Sequence, residues 1–345
     1  MALQNLSNFL SGVLFSGKIY IDKVVKIIQK NNSKKLRKFI DNKRLSDINI
    51  ILSGHNNYSL LMIACLHGSF DCAVVLLENS AININTRGDD CLSAIELACK
   101  NGCIELINIL FEKNVYIDDT IIFRCLHARI TTRIVRLLVT HINDIDYKNE
   151  YGITFLHQAC TDQHEHIACI LLEAGATVIP IYTSHWFSTR VIELLLKYGA
   201  DPNYHYPNGI SVLYKLASPE YRSSKPLERV QLLLASGADV NFAHPVMGTT
   251  VLMNAMSGYS HPSNIFVKFG LFSMQELITA CEEQQVYYTK LISMLLEHGA
   301  DVTAVDNNGR SVLDMRHEKG GNNVIIDMCI PYIESNQQDT KAILK

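Results

Sequence analysis

The stretch Tyr151–Val178, YGITFLHQACTDQHEHIACILLEAGATV, constrains this chain most, because damaged copies of it recur from about residue 47 to the C-terminus. Its own chemistry reads as a turn followed by two short helices. Gly152, after Asn149-Glu150-Tyr151, suits a turn whose backbone needs positive φ. Thr154 can cap the next helix, and Leu156, Ala159 and Cys160 fall on one helical face. Ile167, Ile170, Leu171 and Leu172 make a second apolar helix, with Gly175 where a C-terminal cap is wanted. Each helix can bury only one stripe, and about ten residues cannot hold a helix alone. Such a unit is stable only when stacked on copies of itself.

The copies are found by their endings. Leu76-Leu77-Glu78-Asn79-Ser80-Ala81, Leu194-Leu195-Leu196-Lys197-Tyr198-Gly199-Ala200, Gly237-Ala238-Asp239-Val240-Asn241 and Gly299-Ala300-Asp301-Val302 all repeat the parent ending. Ser59-Leu60-Leu61-Met62, Ser93-Ala94-Ile95-Glu96, Ser211-Val212-Leu213-Tyr214, Thr250-Val251-Leu252-Met253 and Ser311-Val312-Leu313-Asp314 repeat Thr154-Phe155-Leu156-His157. This pattern resembles the ankyrin repeat, a turn and two helices over about 33 residues with a T-P-L-H-x-A signature. The resemblance implies an all-α solenoid of stacked helix-turn-helix units with short β-turn fingers. About eight repeats are expected over 47–333, behind a helical N-terminal cap at 1–46 and before a tail at 334–345.

Within 1–46, Ile21, Val24, Val25 and Ile28 have helical period, and Leu36, Phe39 and Ile40 suggest a second helix. Lys23, Lys26, Lys30, Lys34 and Lys35 supply the polar outer face that a terminal repeat needs. A basic membrane-contact patch is the sharper alternative. Phe9–Ser16 is apolar but is preceded by no basic residue and interrupted by glycine, so it does not read as a signal peptide. No stretch approaches 18 uninterrupted apolar residues, and no membrane span is expected.

Spacing between endings is uneven. It is 34 residues from Ala81 to Val115 and 33 from Asn143 to Ala176, but only 28 from Val115 to Asn143 and 24 from Ala176 to Ala200. The inter-repeat turn is therefore expected to be missing at Asp118–Thr120 and around Val178–Tyr182. From Ala238 to Ala300 the spacing is 62, which places an insertion at 258–286. Gly258–Gly270 reads as loop, Ser273 to Glu276 as a capping box, and residues 274–297 as one long helix projecting from the stack.

A net charge of −3, from 31 basic and 34 acidic residues, argues against a nucleic-acid partner. Ten cysteines, several at Ala-Cys helix positions (65, 99, 160), read as buried free thiols in a reducing compartment. Cys160, His164, His166 and Cys169 lack the paired short spacings of structural zinc, so no metal and no cofactor is expected. His157 matches the family histidine that ties turns together. No nucleophile elbow, phosphate loop or carboxylate pair is visible, and the chain is not expected to be an enzyme.

The resemblance implies a non-catalytic, cytoplasmic or nuclear adaptor, monomeric on its own, which grips a protein partner with its turn tips and first helices. An inhibitory or substrate-receptor subunit of an enzyme complex such as a ubiquitin ligase, or a virus-encoded host-range factor, is the alternative; no SOCS or F-box sequence is recognisable in 318–345. Two neighbouring tips are unusually apolar, so Tyr204, Tyr206, Val246 and Met247, with Trp186 nearby, are the candidate contacts. Asn241, behind a leucine run and Asp239-Val240, resembles ankyrin sites modified by asparaginyl hydroxylases.

Overall fold

The computed structural model describes residues 21–42, 47–126, 131–181, 187–218, 226–260, 274–314 and 327–332. Helices come in short pairs, as the apolar period requires. In order, Ser33–Asp41 follows a helix at 21–29, then Leu60–Leu66 with Phe70–Leu77, Ala94–Asn101 with Ile104–Glu112, and Ile121–Leu126 with Thr132–Val139. Phe155–Thr161 and Glu165–Glu173, Thr189–Lys197, Val212–Leu216 with Pro226–Ala235, and Val251–Ser260 with Met274–Glu297 continue the series. The chain divides into two compact units, one of residues 1–159 with 169–176 and one of residues 160–168 with 177–345.

Within each unit like stacks on like. In the first, Leu60–Leu66 packs on Ala94–Asn101 and that helix on Ile121–Leu126, while Ser33–Asp41, Phe70–Leu77 and Ile104–Glu112 form the second row. In the second unit Val212–Leu216 packs on Val251–Ser260, and Thr189–Lys197, Pro226–Ala235 and Met274–Glu297 form the other row. Thr189–Lys197 is thus a second helix, and residues 182–186, where its first helix would fall, lie outside the described part. Leu61, Met62, Ala64, Leu76, Ile95, Leu106 and Leu110 are wholly buried between these rows. Each contributes about 1.5–3 kcal/mol when large and fully buried.

Fingers separate most pairs. Ile51–Leu52 pairs with Tyr58–Ser59 antiparallel, and single bridges close the others at Arg87–Ser93, Lys148–Thr154, His205–Ser211, Ala243–Thr250 and Val305–Ser311. The residue closing each finger also binds the backbone that follows, and where a described helix follows it is the cap. Ser59, Thr154, Ser211, Thr250 and Ser311 accept the N–H of the residue three on, and Ser93 with Glu96 makes a capping box. Five of these caps are buried, so the recurring Ser/Thr is fixed by an orphan helix donor that water cannot reach. Asparagines bind one repeat to the next. Asn49, Asn203 and Asn241 each donate to a carbonyl (Ala81, Gly237, Gly299) and accept from a backbone N–H (Asn83, Asp239, Asp301) of the following unit.

No finger is formed at Asp118–Thr120, as the short spacing predicts; Ile121–Leu126 starts directly after it. A partly buried ionic cluster, centred on the buried Glu96, occupies the place. Arg124 bonds both oxygens of Asp118, at 2.8 and 2.7 Å, and contacts Glu96, whose side chain is 1% exposed. Arg87 reaches Asp118 at 2.7 Å and Glu96 at 3.3 Å. Burial alone would raise the Asp118 carboxyl, but hydrogen bonds from Thr120 and Arg124 and the two guanidiniums hold it below its ordinary value.

The long helix runs from Met274 to Glu297, as its unbroken apolar period predicts. At about 1.5 Å per residue it is roughly 36 Å long, against roughly 15 Å for its partner Val251–Ser260. The expected loop at Gly258–Gly270 is corrected at its start: Gly258, Tyr259 and Ser260 are helical. A Cβ on Gly258 would lie 2.2 Å from the Tyr288 ring, and Gln284 donates to the Gly258 carbonyl at 2.8 Å. That glycine is there for close helix contact rather than for a turn. Residues 261–273, including Ser273 of the expected capping box, lie outside the described part.

Candidate functional site

Among the expected contacts, Trp186 lies outside the described residues. The other four divide into two kinds. Tyr204 and Tyr206 are half-buried, edge to face with ring centroids 6.2 Å apart, and the Lys215 ammonium lies 5.5 Å from the Tyr206 centroid. Behind them the aromatic residues of neighbouring fingers pack together. His205 meets Phe242 at 5.1 Å, and Tyr214 meets Phe242 at 5.9 Å and His244 at 5.4 Å. The Tyr214 and Thr249 hydroxyls are hydrogen-bonded at 2.8 Å. Much of the aromatic excess at these tips is therefore internal packing.

Val246 and Met247 are different. They are 75% and 57% exposed, yet every polar group of their two peptide units is occupied. His244 Nδ1 accepts from the N–H of Val246 at 3.1 Å and of Met247 at 3.2 Å, which places any ring proton of the neutral imidazole on Nε2. On the other side Asn307, from the next finger, donates its side-chain amide to the Val246 carbonyl and its backbone N–H to the Met247 carbonyl, at 2.8 and 3.1 Å. Gly248 follows with φ +69°, and a Cβ there would lie 2.8 Å from the Asn307 backbone nitrogen. Two apolar side chains are thus held outward on a backbone that cannot fold them away. Val305, on the finger that supplies Asn307, is 56% exposed as well.

Sequence reasoning found Val246 and Met247 by their type, but not His244 and Asn307 as their clamp. A His two residues before a tip, with an Asn in the next tip, is the signal. It also passed over Tyr151, 83% exposed on the finger Lys148–Thr154. Asn241 is where the sequence places it, but its amide is committed to Gly299 and Asp301.

The remaining candidates are structural. His157 hydrogen-bonds Thr154 at 3.1 Å inside its own cap, and burial, with Lys148 nearby, lowers its pKa. Cys160 is buried, Cys169 contacts Glu173, and His164 and His166 are exposed; among the described residues no group of three or more His, Cys, Asp or Glu is placed to hold a metal. The nine described cysteines are free. Burial pushes the Cys72 thiol up to about 11 and Cys160 up to about 12. A thiol-alkylating reagent at neutral pH is therefore expected to label exposed Cys91 first, and Cys72 and Cys160 only after unfolding. Early labelling of Cys72, read by peptide mass, would contradict this.

Stacked capped helix pairs with fingers bridged by asparagine define a class: the helical-repeat proteins, in which each unit contacts its neighbours. Residues 24–121 carry ankyrin repeats. They match the family model described as ankyrin repeats in three copies, and the match begins inside the segment expected to be a cap. Its fold is similar to the crystal structure of the human ASB11 ankyrin repeat domain, at 27% sequence identity and TM-score 0.47, covering 63% of this chain and 98% of that one. It is also similar to EF0377, an ankyrin repeat protein, at 24% identity and TM-score 0.41, covering 58% and 91%. No curated protein matches the sequence. Ankyrin repeats are generally protein–protein interaction modules. Among the described residues no helix is long and apolar enough to cross a membrane.

Proposed function

We propose that this protein is a non-catalytic adaptor that grips a partner protein with the tips of its fingers Ala243–Thr250 and Val305–Ser311. The supporting observation is the Val246–Met247 pair, exposed and apolar on a backbone with all four polar groups satisfied. Exposed apolar area costs solubility unless a ligand covers it. A pre-ordered contact also loses little entropy on binding. Tyr204 and Tyr206, half-buried on the preceding finger, supply its polar-aromatic rim in this reading.

Central apolar anchors can each contribute about 2 kcal/mol to a complex. Changing Val246 and Met247 together to serine is expected to weaken partner capture by about a hundredfold or more. The melting temperature should stay within a degree or two, because these side chains touch little. Capture of the natural partner from source cells, quantified by mass spectrometry on wild type and variant, reads the effect. Undiminished capture by the double variant would place the binding face elsewhere. Tyr204 and Tyr206 are poorer probes, since their removal disturbs the packed rim.

A further inference from the structure

The helix pair at 21–29 and Ser33–Asp41 has one face committed to the repeat behind it. Val24, Val25, Ile28 and Leu36 are buried, Ser69 donates to the Ile28 carbonyl at 2.6 Å, and Asn31 holds both Asp71 and the Cys72 N–H. The other face is lysine. Lys23, Lys26 and Lys30 recur at helical spacing on the side opposite the buried valines, and Lys34, Lys35 and Lys38 are exposed on the second helix. Among the described residues none of these six is ion-paired, whereas Arg37 is held by Glu78 at 2.6 Å. Residues 21–42 carry seven basic side chains against Asp22 and Asp41, an excess of five in a chain of net charge −3. The other 323 residues therefore carry −8.

A terminal repeat needs a polar outer face, but mixed charges would serve that need equally well. The excess of one sign over Asp22 and Asp41, and its segregation from an acidic remainder, call for an anionic partner. Its kind follows from what the face lacks. No large apolar side chain of residues 21–42 is exposed, so a protein partner would find no anchor, and lysine is depleted at protein interfaces. There is no exposed aromatic side chain on which a nucleic-acid base could stack, and the one arginine is already paired. Hydrated point charges on flexible stems suit a diffuse surface that imposes no geometry. We propose that this lysine face docks the protein on an anionic phospholipid membrane.

Each lysine near such a surface strengthens binding about fivefold, and the attraction fades within a Debye length. The full chain should sediment with phosphatidylcholine vesicles containing phosphatidylserine and not with phosphatidylcholine alone. Raising salt from about 0.1 M to about 0.5 M should release it. Lys23→Gln, Lys26→Gln and Lys30→Gln together should cut the partition coefficient about a hundredfold. The same three-charge loss at the exposed Lys100, Lys113 and Lys290 should do far less, and both variants should match the wild-type melting temperature. Absence of binding to the phosphatidylserine vesicles, or equal losses in the two variants, overturns the proposal. So does binding to polyglutamate without binding to vesicles, which would put an acidic protein in the membrane's place.

Discussion

Arg124→Ala is expected to lower the free energy of unfolding by about 2–3 kcal/mol, less than the loss of about 3–5 kcal/mol for a fully buried pair, because the arginine side chain is 32% exposed. The side chain ties Glu96 to Asp118, and the Glu96 carboxylate is 1% exposed. Truncating Arg124 leaves that charge inside the stack with Arg87, at 3.3 Å, as its remaining cation beside the Ser93 hydrogen bonds. Arg124→Lys should recover only part of the loss, because an ammonium cannot fork across two carboxylates. The network also sets a pH dependence. The folded-state pKa of Asp118 lies below its ordinary carboxylate value, so its contribution is fully present above about pH 4 and is lost as pH falls through the lower folded value. Asp118→Asn should therefore flatten the acid limb of the stability curve. Urea midpoints across pH for wild type and the three variants measure all of this. A loss below about 0.5 kcal/mol for Arg124→Ala would mean that the cluster is a solvated surface group rather than the substitute for a finger.

Gly248→Ala should destabilise by about 3 kcal/mol and weaken partner capture at the same time. Its φ of +69° costs any residue with a Cβ about 1–2 kcal/mol. The added methyl would also meet the Asn307 backbone nitrogen at 2.8 Å, and overpacking of that kind typically costs about 1–3 kcal/mol. Backbone cannot rotate away as a side-chain end can, so the two fingers must part. Parting them breaks the Asn307 bonds to Val246 and Met247, and the apolar pair loses its fixed direction. Gly299→Ala is the control, with φ +85° but nothing within 4 Å of its Cβ. It should lose only the conformational share and leave capture intact. Equal effects from the two glycines, in melting temperature and in capture, would show that finger contact plays no part in binding.

The amino-acid sequence by itself determined what depends on short-range periodicity. The helix pairs, the Ser and Thr caps, the absent finger at Asp118–Thr120 and the long helix from Met274 to Glu297 all follow from spacing along the chain, because helix period and capping act over four residues or fewer. What joins residues far apart was decided only in three dimensions. Glu96 reads as a capping-box partner and is one, yet Arg124 and Asp118 meet it only because the next helix stacks on its own. Gly258 reads as a turn, and its meaning comes from Tyr288, thirty residues on. Val246 and Met247 stand out by composition, but Asn307, sixty residues later, is what keeps them outward. Tyr204 and Tyr206 look the same on paper and are half-buried, packed on each other with Lys215 over the Tyr206 ring. Side-chain type sets what a residue can do; the neighbours brought by stacking decide which of those things it does.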